Sequence, residues 1–207
     1  MTTRSTSRAL ACLAGLWLAG CLGGAVAPHY YTLRSSSGDA AGPPLGEHPE
    51  LGLAVGPVDL PRYLDRPELV TQDESNRLTV LDAHRWGGSL RTDILRVVAD
   101  DLGRLLGTAR VAVYPSEPRF DARYRVLLDV RDIQGTPGHR VVLLVRWTVA
   151  SMEDGRAVAV EESRIEQPVE SGDYDALVAA DSAAFGTLSR KIADRIAALT
   201  ATAQVGP

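Results

Sequence analysis

Three consecutive segments in the second half of the chain show a strict two-residue periodicity, and this periodicity constrains the fold more than any other feature. Apolar residues recur at every second position in the first two segments: Tyr124, Val126, Leu128 and Val130, then Val141, Leu143, Val145, Trp147 and Val149. A third segment covers residues 157–167. Such alternation is typical of strands that bury one face. Because the turns at 135–138 and 153–156 are short, the sequence predicts an antiparallel meander.

Two other segments have the periodicity of amphipathic helices. The first follows Ser89, a suitable N-cap, and ends before Gly107, a suitable left-handed C-cap; its apolar stripe is Leu90, Ile94, Val97, Val98, Leu102, Leu105 and Leu106. The second follows a capping Asp173; its stripe is Leu177, Val178, Phe185, Leu188, Ile192, Ile196 and Leu199. We therefore predict an α+β fold: one antiparallel or mixed sheet with two long amphipathic helices packed on one face.

Shorter elements are predicted before and between these segments. Residues 30–33, 51–56 and 111–113 have the composition of strands, and residues 69–71 are expected to pair with 77–81 in a hairpin. The segment 57–67 contains three prolines. Because proline lacks a backbone N–H and has a fixed φ, we expect neither a regular helix nor a central strand there.

The amino terminus has the features of an export signal. Arg4 and Arg8 precede an apolar run from Leu10 to Leu18, which is too short for a stop-transfer helix. The run ends in Leu-Ala-Gly-Cys21, which matches the lipobox of bacterial lipoproteins. This resemblance implies cleavage before Cys21 and lipidation of its sulfur, whereas the alternative is an ordinary secretory signal that contains a cysteine. The predicted divisions are a cleaved signal peptide (1–20), a lipidated tether (21–28), a single domain (29–200) and a flexible tail (201–207).

Cleavage changes the charge and the cysteine content of the chain. The other cysteine, Cys12, is lost with the signal, so the mature domain is expected to be stable without a disulfide. The mature chain keeps 20 basic and 26 acidic residues, a net charge of −6. This acidic surface argues against nucleic acid as a partner. Acyl chains on Cys21 are then the expected membrane anchor, and the absence of an Asp after Cys21 suggests the outer membrane by analogy.

Known catalytic motifs are absent from the sequence. The four histidines are scattered without metal-ligand spacing. We therefore predict a protein that is not an enzyme and that has no cofactor and no metal site.

Four residues are candidates for contact with a partner: Tyr63 in the proline-rich segment, and His84, Arg85 and Trp86 before the first helix. Trp and Arg are common in binding hot spots. The alternative, which we favour for Trp86, is that it packs beneath the start of the helix. Similarly, Tyr63 could contact a partner or could fix an irregular loop to the core.

An ordered set of segments resembles the ABC-type transport auxiliary lipoprotein family of the PqiC/YmbA type, which is associated with MCE-domain lipid transport. The matching segments are residues 30–33, 55–67, 76–78, 84–86, 124–126, 174–180 and 188–193. One departure is the glycine pair after Trp86, where the family pattern has a Trp-Ala-Glu-Pro-like sequence.

The resemblance implies a non-catalytic docking or auxiliary component of an ABC/MCE-type intermembrane lipid transport system. Its expected place is the periplasmic face of the outer membrane, with an MCE-domain protein and an ABC permease or ATPase as partners, and with a ring-like homo-oligomer as a further implication. A different function remains open, that of a periplasmic lipoprotein that carries a lipid or another hydrophobic ligand.

Overall fold

The computed structural model describes residues 27–35, 40–72 and 77–204. Its strands are β1 (His29–Tyr31), β2 (Leu53–Asp59), β3 (Glu68–Gln72), β4 (Leu78–Trp86), β5 (Val111–Val113), β6 (Tyr124–Thr136), β7 (Arg140–Ser151) and β8 (Ala157–Pro168), and its helices are α1 (Leu90–Leu105) and α2 (Tyr174–Gln204). The α+β class is confirmed. The prediction of one sheet is wrong in number, because the strands form a five-stranded and a three-stranded sheet.

The five-stranded sheet has the order β5-β2-β6-β7-β8. Strands β6, β7 and β8 form the predicted antiparallel meander, in which Leu128 lies opposite Trp147 and Trp147 opposite Glu161. Strand β2 runs parallel to both of its neighbours, β5 and β6. The sheet is therefore mixed, as the sequence analysis allowed.

The expectation that the prolines exclude a central strand is wrong for the first of them. Strand β2 continues through Pro57 to Asp59, and it lies between β5 and β6. Its register with β6 shifts between Val55 and Val58, so Pro57 lies in a bulge. Proline is tolerated at a bulge because its missing N–H is not required by the ladder there. The later residues of the segment do form turns.

Both helices pack on the five-stranded sheet, α1 over β2 and β5 and α2 over β7 and β8, and they also pack against each other. Gly107 adopts a φ of 58°, as expected for a left-handed residue after a helix. Asp173 Oδ1 accepts a hydrogen bond of 2.7 Å from the amide of Ala176, which is an N-cap contact. Helix α2 continues to Gln204 and so includes four of the residues that we assigned to the tail. Neither helix in the described residues is long and apolar enough to cross a bilayer.

The three-stranded sheet has the order β1-β4-β3. The predicted hairpin is present, with Leu69 opposite Leu81 and Gln72 opposite Leu78. Strand β1 pairs in parallel with the end of β4, so that His29 lies opposite His84. This small sheet covers the region where α1 and α2 begin, and it carries most of the residues that the sequence marks as candidates for binding.

Candidate functional site

A cluster of aromatic and histidine rings lies where β1, β4 and the first turn of α2 meet. The register of β4 against β3 shifts between Glu68 and Leu69, which leaves His84 in an irregular stretch of the strand. Its ring is stacked with His29 at 5.3 Å between centroids and lies 4.1 Å from the ring of Tyr174. Irregularities of this kind often redirect a side chain at a functional site.

The cluster is also joined by a polar contact. The hydroxyl of Tyr31 and Nδ1 of His84 share a hydrogen bond of 2.8 Å. Burial raises the pKa of Tyr31 above its ordinary value, and the carboxylates of Asp175 and Asp173 raise it further. Tyr31 therefore stays protonated and remains available as a donor to His84.

A groove of about 330 Å³ lies between β1 and the start of α2. Tyr30, Arg34 and Asp175 supply its polar groups, and Val178 and Ala179 supply apolar wall. Tyr30 is 65% exposed, the largest exposure among the large apolar side chains of the described residues. An exposed tyrosine beside a cation and a carboxylate offers the amphipathic contact area that protein interfaces favour.

The three consecutive candidates of β4 point in different directions. His84 faces the ring cluster. Nη2 of Arg85, half-exposed, lies 3.3 Å from the carboxylate of Glu68. Trp86 is only 8% exposed and lines a small cavity with Leu90 of α1, as the packing interpretation requires. Of the three, Trp86 is thus closed to a partner, whereas His84 and Arg85 are partly exposed.

Tyr63 lies away from the ring cluster. It is half-buried in the turn after β2, and its hydroxyl donates a hydrogen bond to the carboxylate of Asp132 on β6. Burial raises the pKa of Tyr63, and the hydrogen bond with Asp132 raises it further. This contact fixes the irregular loop to the five-stranded sheet. The remaining candidate, Cys21, lies outside the described residues.

Asp181 was not among the residues predicted from the sequence. Its side chain is buried on the face of α2 that packs against the rest of the protein. A signal was present, because Asp181 lies four residues after Leu177 and four before Phe185, within the apolar stripe of the helix. Removal from water raises the pKa of Asp181 to about 7. A carboxyl group with this environment is unusual and calls for a physical explanation.

The site contains two of the histidines that the sequence left scattered, but they contact rings and a tyrosine hydroxyl. In the described parts of the chain, no group of three or more His, Cys, Asp or Glu side chains could hold a metal ion. The arrangement is suited to contact with another molecule through a rim of exposed or partly exposed side chains, Tyr30, Arg34 and Arg85, beside the ring cluster.

Comparison with known proteins gives a family match over most of the chain. A family model described as an ABC-type transport auxiliary lipoprotein component matches residues 31–193, which include Tyr63, Asp181 and the rings of the cluster other than His29. No curated protein matches the sequence.

Two solved structures are similar in fold. A crystal structure of an uncharacterised protein has a TM-score of 0.67 at 20% identity, and the match covers 82% of this chain and 99% of that one. A crystal structure of a protein of the DUF330 family from Xanthomonas campestris has a TM-score of 0.61 at 19% identity, covering 79% and 91%. At these identities the likeness shows the fold alone.

Proposed function

The chain belongs to the ABC-type transport auxiliary lipoprotein family, and from this we propose that it is a non-catalytic docking component of an ABC/MCE-type intermembrane lipid transport system. In this proposal, acyl chains on Cys21 anchor it to the periplasmic face of the outer membrane. An MCE-domain protein, together with an ABC permease or ATPase, completes the system, and several copies of the chain assemble as a ring.

The observation that carries the proposal is the position of the exposed rim relative to the predicted anchor. Strand β1 begins at His29, and seven residues separate it from Cys21. Seven extended residues reach at most about 25 Å. The rim formed by Tyr30, Arg34 and Arg85 therefore stays near the membrane surface, where a partner that arrives at the membrane would meet it.

The chemistry of the ring cluster supports a role in contact. Nδ1 of His84 is bonded to the hydroxyl of Tyr31, whose pKa is raised, so this pair lacks the activated nucleophile that acyl transfer or hydrolysis needs. The hydroxyl of Ser182, beside the groove, donates to the carbonyl of Val178 and accepts from the amide of Arg34. The hydroxyls of Tyr31 and Ser182 are thus both engaged in hydrogen bonds that hold the local structure.

The carrier alternative gains no support from the interior. The cavity between the three-stranded sheet and the helices measures about 20 Å³. Pockets that enclose drug-sized ligands usually have about 300–1,000 Å³. The groove of about 330 Å³ beside β1 is partly open to solvent, so it would leave part of an acyl chain in water.

A crosslinking experiment tests the docking role. A photoreactive phenylalanine analogue replaces Tyr30 in one strain and Val160 in a matched control strain. Val160 is 57% exposed on β8, in the other sheet. We expect position 30 to crosslink to an MCE-domain protein or another transporter subunit, and position 160 to give no such product. Transporter products from neither position, or equally from both, would contradict the proposed surface.

Anchoring and assembly are tested separately. Labelled palmitate should enter the wild-type chain but not the Cys21→Ala variant, which should move from the membrane to the soluble fraction. Native mass spectrometry of detergent-purified chain should show a closed homo-oligomer. Unlabelled wild-type chain, or a variant that stays in the membrane fraction, would contradict the anchor, and a purely monomeric chain would contradict the ring.

A further inference from the structure

A small cavity separates the three-stranded sheet from the two helices. It is lined by Leu69 of β3, Trp86 of β4, Leu90 of α1, Ile133 of β6 and Phe185 of α2, all apolar. At about 20 Å³, it has room for about one water molecule. Strands β3 and β4 of the hairpin, residues 68–72 and 78–86, contribute one side of this cavity.

The carboxyl group of Asp181 opens onto this cavity from α2. The residue is 7% exposed, and its Oδ1 makes no hydrogen bond to any part of the chain that the structure describes. A carboxylate in such surroundings is strongly disfavoured, whereas a neutral carboxylic acid is tolerated at a much smaller cost. The closed packing therefore suits only the protonated form.

Among the described residues, one other ionisable group lines the cavity, and its negative charge is already paired with arginine side chains. Glu68 of β3 accepts a hydrogen bond of 2.9 Å from Arg66 and lies 3.3 Å from Arg85. The hydrogen bond from Arg66 lowers the pKa of Glu68. The lining residues from β4, α1, β6, the chain after β1 and the turn before β3 are apolar. Within the described ranges, no cation lines the cavity to stabilise a negative charge on Asp181.

We propose that Asp181 is a protonation-controlled latch: its neutral carboxyl keeps the β3–β4 hairpin closed on the helices, and its ionisation opens the hairpin and admits water. Opening relieves the buried charge because the carboxylate becomes hydrated. It also exposes the apolar side chains of Leu69 and Trp86. The hairpin is the part that can respond, since it belongs to the smaller sheet and, among the described residues, pairs with one further strand, β1. Its attachment to the larger sheet is packing of β3 on β6 and a hydrogen bond of 3.1 Å from the hydroxyl of Thr136 to the carbonyl of Gln72.

The pH range of the latch follows from the two states of the carboxyl group. In the closed state burial raises the pKa of Asp181 to about 7, and in the hydrated open state the value returns to about 3.9. The closed state then binds the proton more tightly, so the ratio of open to closed molecules rises about tenfold per pH unit between about 4 and 7. Above about pH 7 both states are ionised and the ratio levels off.

A latch at this place would act on the rim through which we propose that the chain docks. Arg85 lies on the hairpin, and β1, which carries Tyr30, pairs with β4. Opening would move both of them. The effect on docking rests on the proposed function, but the latch itself involves no partner and is measured without one, so the two proposals can fail independently.

Hydrogen exchange of the full chain, purified in detergent, tests the latch. Protection factors, which correct for the pH dependence of intrinsic exchange, are compared between peptides of β3 and β4 and peptides of β7. Between pH 5 and 7 we expect protection in β3 and β4 to fall about tenfold per unit relative to β7 and then to level off. A constant ratio between the two regions across this range would overturn the proposal.

Two substitutions assign the effect. Asp181→Asn removes the titrating group at nearly constant shape and should make the ratio independent of pH. Glu68→Gln removes the other carboxyl group that lines the cavity and should leave the pH dependence in place. If Asp181→Asn does not fold, Asp181→Leu, which suits the apolar walls, replaces it. A pH dependence that survives the loss of the Asp181 carboxyl, or that disappears in Glu68→Gln, would refute the latch.

Discussion

The indole of Trp147 and the hydroxyl of Ser163 form a buried hydrogen bond whose removal has a calculable cost. Nε1 of Trp147 donates to Oγ of Ser163 over 3.1 Å, and both side chains are buried between the five-stranded sheet and its helices. In Ser163→Ala the indole N–H keeps its buried position and loses its acceptor. An unpaired buried donor costs about 1–3 kcal/mol.

Urea unfolding measures this cost. With a slope of about 2 kcal/mol per molar urea, the midpoint should fall by about 0.5–1.5 M while the slope stays unchanged. Trp147→Phe removes the donor and also leaves a void, so this variant should be destabilised as well. Because the donor is then absent, adding Ser163→Ala to Trp147→Phe should cost at least about 1 kcal/mol less than it does in the wild type.

Strict additivity of the two substitutions would contradict an interaction between Trp147 and Ser163. If the two substitutions add within about 0.3–0.5 kcal/mol, the side chains do not interact and the bond does not contribute to stability. A Ser163→Ala variant with an unchanged midpoint would lead to the same conclusion. The result matters for the site because β7 and β8 support α2, whose first turn carries Tyr174.

Three further predictions concern the loops and caps that hold the site in place. Tyr63→Phe should lower the free energy of unfolding by about 1 kcal/mol, because it loses the hydrogen bond to Asp132. Tyr114→Phe, at an exposed position, is the control. Equal urea midpoints for the two variants would contradict a loop fixed by this bond. Gly107→Ala should lower the free energy of unfolding by at least about 2 kcal/mol, because its φ is positive and the new Cβ would lie 2.7 Å from Cα of Glu47. Gly155→Ala also has a positive φ but has open space around it, so it should lower the free energy of unfolding by about 1 kcal/mol. Equal melting temperatures for the two variants would contradict the steric argument. Hydrogen bonds from Ser171 and the Ala176 amide lower the pKa of Asp173. The wild type should therefore melt at a higher temperature than Asp173→Ala above about pH 4, and this difference should disappear as the pH falls further. A difference that persists at pH 2 would show that it does not come from the ionised carboxylate.

Local patterns predicted the elements well where one face of an element is buried. The meander follows from alternation in β6, β7 and β8, and the helix starts follow from Ser89 and Asp173. Ser89 takes the extended N-cap conformation without a side-chain hydrogen bond, so the position was right although the expected contact is absent. The prediction failed at Pro57, since a bulge in β2 makes room for it and no local pattern in the sequence indicates a bulge.

Residues of the candidate site were predictable to a smaller extent. The sequence marked His84, Arg85 and Trp86 as a group, yet alternation along a strand sends neighbours to opposite sides. Which of them is accessible depends on what covers each side. Whether Tyr63 faces a partner or the core could not be predicted either, because Asp132, to which it is hydrogen-bonded, is far away in the sequence.

By itself, the sequence determined the type and order of most elements, the α+β class and the family resemblance, because these depend on periodicity and on short-range preferences along the chain. Only the tertiary structure decided that there are two sheets, that His29 meets His84, and that Asp181 borders a cavity. Each of these depends on a pairing or a packing contact between segments far apart in the chain, such as the parallel pairing of β1 with β4. Residue spacing along the chain carries no information about the distance between such segments.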